Sequence, residues 1–194
     1  LAGVNLTQIF PSPIWDIKNE VSDEDIKELK QFAYSAIKQY PNVDISSKRG
    51  GGQSSVPLQV QHPVLMKIIG DNIQQIIKEF EPVTKLRLQN YWVNVNPPGS
   101  YMIAHVHPRS VLACTLYVQT PPNSGRITFI NPNLAARQAF YSFKETEYNY
   151  KSYSYQPIPG MLICFPSWLD HGVEENLSKD DRISISFNLI ADDI

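Results

Sequence analysis

Two hydrophobic periods divide this chain. Between Ser22 and Pro82 apolar residues recur every three or four positions, and from Thr84 onward they alternate or gather in short blocks. Ile26, Leu29, Phe32, Ala36, Ile37 and Tyr40 share one helical stripe, with Ser22 and Asp25 as an N-terminal capping pattern and Pro41 beyond the stop. A second stripe joins Leu65, Ile68, Ile69, Ile73, Ile76, Ile77 and Phe80; Pro63 opens it at a favoured first-turn position and Pro82 closes it. Between the stripes lies Ser46 to Ser55, with Gly50, Gly51 and Gly52 in a row. No strand precedes this run and no Gly-Lys-Ser/Thr ends it, so it reads as a mobile loop and not as a phosphate cradle.

The second part reads as short strands punctuated by Pro, Gly and Asn. Candidates are Leu86 to Asn96, Met102 to His107, Val111 to Thr120, Arg126 to Ile130, Thr146 to Tyr155, Met161 to Phe165, and Arg182 to Ile190. Pro121 to Gly125 reads as a tight connection. Two helices followed by many short strands imply a mainly β, α+β fold with both helices packed on one sheet of a sandwich or barrel. A parallel α/β sheet does not fit that order. Tyr141, Tyr148, Tyr150, Tyr153 and Tyr155 form a local cluster, best read as a hairpin with aromatic cross-strand pairs.

Composition narrows the picture without changing it. A chain of 194 residues suits one domain, with residues 1–82 as a helical support and 83–194 as the β core. Its 17 Lys and Arg nearly balance 19 Asp and Glu, which argues against a nucleic-acid surface. No apolar run approaches the ~20 residues that span a bilayer. Leu1 to Gln8 lack a basic stretch followed by an apolar core, so no secretory signal is expected. Cys114 and Cys164 both fall in candidate buried strands, as reduced core residues of a cytoplasmic protein would.

Three of the four histidines carry candidate chemistry. His105 and His107 stand two apart on a strand, where side chains at i and i+2 share a face and can converge on one ion. On its own that pair also fits two surface histidines. His171 changes the balance, because it follows Gly160 to Pro166, a strand running into a turn. A ligand pair on one strand with a distant third ligand after a Gly-to-Pro strand is the double-stranded β-helix pattern, the cupin-like jelly roll. In Arg182 to Asn188, alternation puts Arg182, Ser184, Ser186 and Asn188 on one face and Ile183, Ile185 and Phe187 on the other. A polar face on a central strand is costly unless it lines a cavity, and an arginine there suits a carboxylate. The other reading is an internal salt bridge to one of the chain's own acids.

These stretches together resemble the Fe(II)- and 2-oxoglutarate-dependent oxygenases, and more narrowly a branch found in marine bacteria and their viruses. The resemblance rests on Tyr91 to Asn94, His105 to Ser110, Thr115 to Val118, Phe165 to His171 and Arg182 to Asn188, in that order along the chain. It implies a dioxygenase that holds iron with His105 and His171 as first and last ligands. It also implies that Arg182 and Ser184 bind the far carboxylate of 2-oxoglutarate, with help from Tyr117. Asn96 falls near a residue that reaches the metal-proximal end of that cosubstrate in prolyl hydroxylases. The implied reaction is hydroxylation of a small-molecule or peptide substrate with release of succinate and CO₂; a homodimer is an open arrangement. The borders of the substrate site are expected at Arg49 to Gln53, at Asn131 to Tyr155, and on the strand face bearing Asn90, Trp92, Asn94 and Asn96.

One departure stands out. The superfamily's second ligand is usually a carboxylate, and His107 occupies that place. Asp170 and Glu174 lie near enough in sequence to offer a carboxylate instead. Three competitors remain on sequence grounds: a three-histidine cupin that does not use 2-oxoglutarate, a zinc hydrolase or lyase, and a non-catalytic metal- or sugar-binding jelly roll. The glutamate of four-ligand cupins is missing, since Val111 and Leu112 stand in its region.

Overall fold

The computed structural model describes residues 10–42, 48–82, 84–139 and 144–192. Leu1 to Gln8, Ser46, Ser47, Tyr141 and Phe140, each part of a sequence expectation or of a segment named in one, lie outside the described residues or are not described in their side chains.

Both helices form where the stripes place them. In α1 (Asp23–Gln39) the Ser22 hydroxyl accepts the Asp25 amide at 3.1 Å, satisfying one of the orphan donors of the first turn. Helix α2 (Pro63–Phe80) begins on Pro63 and ends at Glu81 in a left-handed conformation.

Eleven strands build two facing sheets among the described residues. The larger sheet runs β1 (Trp15–Lys18), β9 (Met161–Pro166), β6 (Leu112–Gln119), β11 (Arg182–Ala191), β4 (Leu86–Asn96) and β3 (Gly52–Gln53). The smaller runs β2 (Lys48–Arg49), β5 (Tyr101–His105), β10 (His171–Val173), β7 (Ile127–Ile130) and β8 (Ser152–Tyr155). This is the jelly-roll arrangement, and the helices pack on the outer face of the larger sheet. There Leu29, Ala33, Leu65 and Ile76 meet Val93, Leu116, Ile183, Ile185 and Phe187 in one buried cluster. A second, smaller core between the sheets joins Tyr117, Ile127, Phe129, Ile163, Phe165 and Leu169.

Strand β11 explains the alternation in its sequence. It lies in the middle of the larger sheet and is buried along its whole length. Ile183, Ile185 and Phe187 join the helix-side cluster, while Arg182, Ser184 and Ser186 line a cavity between the sheets. Both faces are therefore spoken for, which is why polar residues survive on so central a strand.

Several expectations need correction. The glycine run is not a loose loop: β2 pairs with β5 and β3 pairs with β4, so the chain crosses here from one sheet to the other. Gly51 has φ +70°, and a Cβ on it would sit 2.7 Å from the Val95 carbonyl oxygen. Close approach is what the glycines provide. The expected strand Thr146 to Tyr155 shortens to β8, because Thr146 to Asn149 forms a turn in which Asn149 Oδ1 accepts the Thr146 amide at 2.6 Å. Its tyrosines do make cross-strand contacts, Tyr155 meeting Phe129 edge-on at 6.1 Å. Strands β1 and β10 and the short helix α3 (Leu134–Ala139) were not anticipated, since three to six residues are too few to display a period. No helix among the described residues is long and apolar enough to cross a membrane.

Candidate metal centre and cosubstrate cavity

Pairing of β5 with β10 brings His105 opposite His171, residues 66 positions apart, as direct register partners. His107 lies just past β5, where its amide donates to the Ser167 carbonyl at 2.9 Å and ties the turn after β9 to the ligand strand. The result is one cluster whose ligating atoms all lie within 4.8 Å of one another. Ring centroids are 4.5 Å apart for His105 and His171, 5.1 Å for His107 and His171, and 5.3 Å for His105 and His107.

The hydrogen bonds of the three rings test whether a metal fits. His105 Nδ1 donates to the Ile103 carbonyl at 2.8 Å and His171 Nδ1 to the Leu169 carbonyl at 3.0 Å. His107 Nδ1 meets Asn188 Oδ1 at 2.6 Å. An Nδ1 that faces an acceptor must carry the proton, so each ring leaves its Nε2 lone pair free for an ion. Burial lowers the pKa of His107, and burial together with the neighbouring His105 and His107 brings His171 down to about 3. Both rings are therefore neutral at pH 7, the state in which imidazole ligates a metal. The donor set suits Fe(II). Trp92 packs on His107 with centroids 5.6 Å apart and helps fix its plane.

The same cavity continues from the histidines to Arg182. Its floor is β4, β6 and β11, supplying Trp92, Asn94, Asn96, Thr115, Tyr117, Arg182, Ser184 and Ser186. Arg182 is only 2% exposed, and its Nη1 is pinned by the carbonyls of Ser124 at 2.5 Å and Glu174 at 3.1 Å. Its Nη2 is buried with no partner. Burial pulls the guanidinium below its usual pKa, but an arginine starts so high that it stays charged. A buried cation with one unpaired nitrogen is costly alone and well matched to an incoming carboxylate. Burial also pushes the Tyr117 phenol above its ordinary range, keeping it an O–H donor. Gly125 makes room for the arginine: it has φ +87°, and a Cβ there would lie 2.9 Å from Arg182 Nη1 and 2.5 Å from the Glu174 carbonyl oxygen.

His105, His107, His171, Arg182, Ser184, Tyr117 and Asn96 thus line one cavity, whereas several other candidates stand apart. Glu174 turns to Arg126, with Oε1 3.0 Å from its Nη2, and the carboxyl is held below its usual pKa by that contact. Neither Glu174 nor Asp170 belongs to the histidine cluster. His62 stands at the start of α2 beside Phe32, with no side-chain capping bond, and Asn90 is exposed. The internal salt bridge considered for Arg182 does not form, since its partners are carbonyls. Gly125 escaped sequence reasoning as part of this site, its only signal being its place in a turn; alternation puts Asn188 on the polar face of its strand, but its contact with a ring 81 positions away was not foreseen.

A metal-binding jelly roll with a buried arginine at the end of its cavity is the class that this fold and site define. The chain belongs to the family described as "Putative 2OG-Fe(II) oxygenase", whose model matches residues 90–188. It is accordingly a Fe(II)- and 2-oxoglutarate-dependent dioxygenase, an oxidoreductase with iron as cofactor and 2-oxoglutarate as cosubstrate. The structure resembles a prolyl-4-hydroxylase from Pseudomonas putida, at 13% identity over 93% of both chains and a TM-score of 0.66. It also resembles the viral collagen prolyl hydroxylase of Paramecium Bursaria Chlorella virus-1, solved with 2-oxoglutarate, at 17% identity, 91% of this chain, 94% of that chain and a TM-score of 0.64. A third match is a prolyl hydroxylase from Trichoplax adhaerens bound to a hypoxia inducible factor peptide fragment, at 14% identity, 93% and 84% coverage and a TM-score of 0.65. At such identities the likeness speaks for the fold. The sequence has no match among curated proteins.

Proposed function

We propose that the chain hydroxylates a small-molecule or peptide substrate, with His105, His107 and His171 holding Fe(II) through Nε2. Arg182 binds the far carboxylate of 2-oxoglutarate, Ser184 and Tyr117 donate hydrogen bonds to it, and Asn96 borders its metal-proximal end. The observation that carries this reading is the unpaired Nη2 of Arg182, buried in the same cavity as three histidines whose Nε2 atoms are free. Iron and 2-oxoglutarate bound there supply the oxidising chemistry, with O₂ consumed and succinate and CO₂ released. The chain's own part is to orient: carbonyls fix Arg182, and acceptors fix the imidazole tautomers. The peptide bound by the Trichoplax relative supports a peptide as one substrate class. Cys114 and Cys164, both buried free thiols, support a cytoplasmic location.

Anaerobic titration with Fe(II) and then 2-oxoglutarate tests the assignment. A visible metal-to-ligand charge-transfer band should appear at one equivalent of each. Iron bound with no band on adding 2-oxoglutarate would favour the three-histidine cupin instead.

A further inference from the structure

The cavity floor contains a hydrogen-bond chain that crosses four strands. Gln53 Nε2 on β3 donates to Asn94 Oδ1 on β4 at 2.9 Å. Asn94 Nδ2 then donates to Ser184 Oγ at 3.3 Å and to Ser186 Oγ at 3.2 Å, both on β11. Ser186 Oγ donates to Thr115 Oγ1 on β6 at 3.1 Å. Gln53, Asn94, Thr115, Ser184 and Ser186 are all buried. Gln53 is the only one of these five that does not line the cavity.

The bonds run in one direction from Gln53. With Gln53 Nε2 donating to the Asn94 oxygen, the Asn94 amide presents its NH₂ to the two serines. Ser184 Oγ therefore accepts, and its own hydrogen finds no acceptor among the described residues. Ser186 accepts from Asn94 and passes its hydrogen to Thr115, whose hydroxyl hydrogen is left over in the same way. Two hydroxyl hydrogens are thus released toward the cavity that also holds Arg182 Nη2.

We propose that Gln53 and Asn94 are positioning residues that turn the hydroxyl hydrogens of Ser184 and Thr115 into the cavity, so that the distal carboxylate of 2-oxoglutarate meets donors alone. This rests on the cosubstrate assignment above and extends it to a residue outside the cavity. The glycine crossing seats the first link, since Gly52 and Gln53 pair with Val95 and Asn94 and Gly51 lies tight against the Val95 carbonyl.

Two substitutions of Gln53 and two ligands test it. Gln53→Met cannot donate to Asn94; Gln53→Glu keeps the size of the side chain but offers an acceptor in place of the amide donor, and it stands in if methionine is not tolerated. With anaerobic Fe(II)-loaded protein, either change should raise the 2-oxoglutarate Kd about five- to tenfold, the effect of losing one neutral hydrogen bond. Iron affinity should hold, while the melting temperature should fall by a few degrees, because the buried Asn94 oxygen loses its donor. The second ligand is 2-oxopentanoate, which keeps the iron-binding end and lacks the distal carboxylate. Its Kd should be the same in the wild type and both variants, whereas a general distortion would weaken the two ligands equally. Unchanged 2-oxoglutarate affinity in the variants, or an equal loss for both ligands, overturns the inference. A wild-type protein that fails to bind 2-oxoglutarate overturns the cosubstrate assignment itself, and this inference with it.

Discussion

Six substitutions separate the roles of single side chains. His105→Ala, His107→Ala and His171→Ala should each abolish stoichiometric iron binding, as metal content of the purified variants would show. His62→Ala, beside Phe32 at the start of α2, should bind iron normally. Arg182→Ala should weaken 2-oxoglutarate by about 2–5 kcal/mol, as when one partner of a buried charge pair is removed, with iron affinity hardly altered. Calorimetric titration reads both, and equal 2-oxoglutarate affinity would falsify the role of Arg182. Gly125→Ala should cost about 1–2 kcal/mol in left-handed backbone strain alone. It should also weaken 2-oxoglutarate, because the new methyl takes the space of Arg182 Nη1. At this scale the sequence is readable where a residue type is scarce. Four histidines make His105, His107 and His171 conspicuous, and one arginine heading an alternating strand draws the eye. Asn94 and Asn188 are different: asparagine is disfavoured on strands, so both stand out on a polar face, but what each amide faces, Gln53 and His107, is set by distant parts of the chain.

Among the elements, β4, β6 and β11 carry two tasks at once. One face of this triplet packs on α1 and α2, and the other is the cavity floor. The two faces should respond separately to mutation. Leu29 is fully buried under the larger sheet, so Leu29→Ala should cost about 2–5 kcal/mol of stability in chemical denaturation. The folded protein should keep its 2-oxoglutarate affinity, because the site lies across the sheet. Long periodic elements were legible: both helices and the strand Leu86 to Asn96 fall where the apolar pattern puts them. What escaped was set by tertiary pairing. Lys48–Arg49 and Gly52–Gln53 become strands only because β5 and β4 offer edges, and nothing local in a glycine run foretells that. Likewise His171 sits on a three-residue strand held between β5 and β7.

For the whole molecule, the ligand geometry links distant parts of the chain. The ion would bridge β5 to β10, joining residues that stand 66 positions apart. Anything that binds the folded form and not the unfolded one stabilises it, by about 2.7 kcal/mol at a hundredfold excess over Kd. Anaerobic Fe(II) should therefore raise the melting temperature, a chelator should reverse the gain, and the alanine variants of the triad should show no gain. A variant lacking all three histidines that still gained stability from iron would place the ion elsewhere. The register of His105 with His171 also has a consequence for turnover of the protein in a cell. Proteases act on opened chains, and the population of such chains follows stability. The iron-free form, without a tie between β5 and β10, is then the form most exposed to degradation, so iron scarcity would lower the amount of this protein as well as its activity.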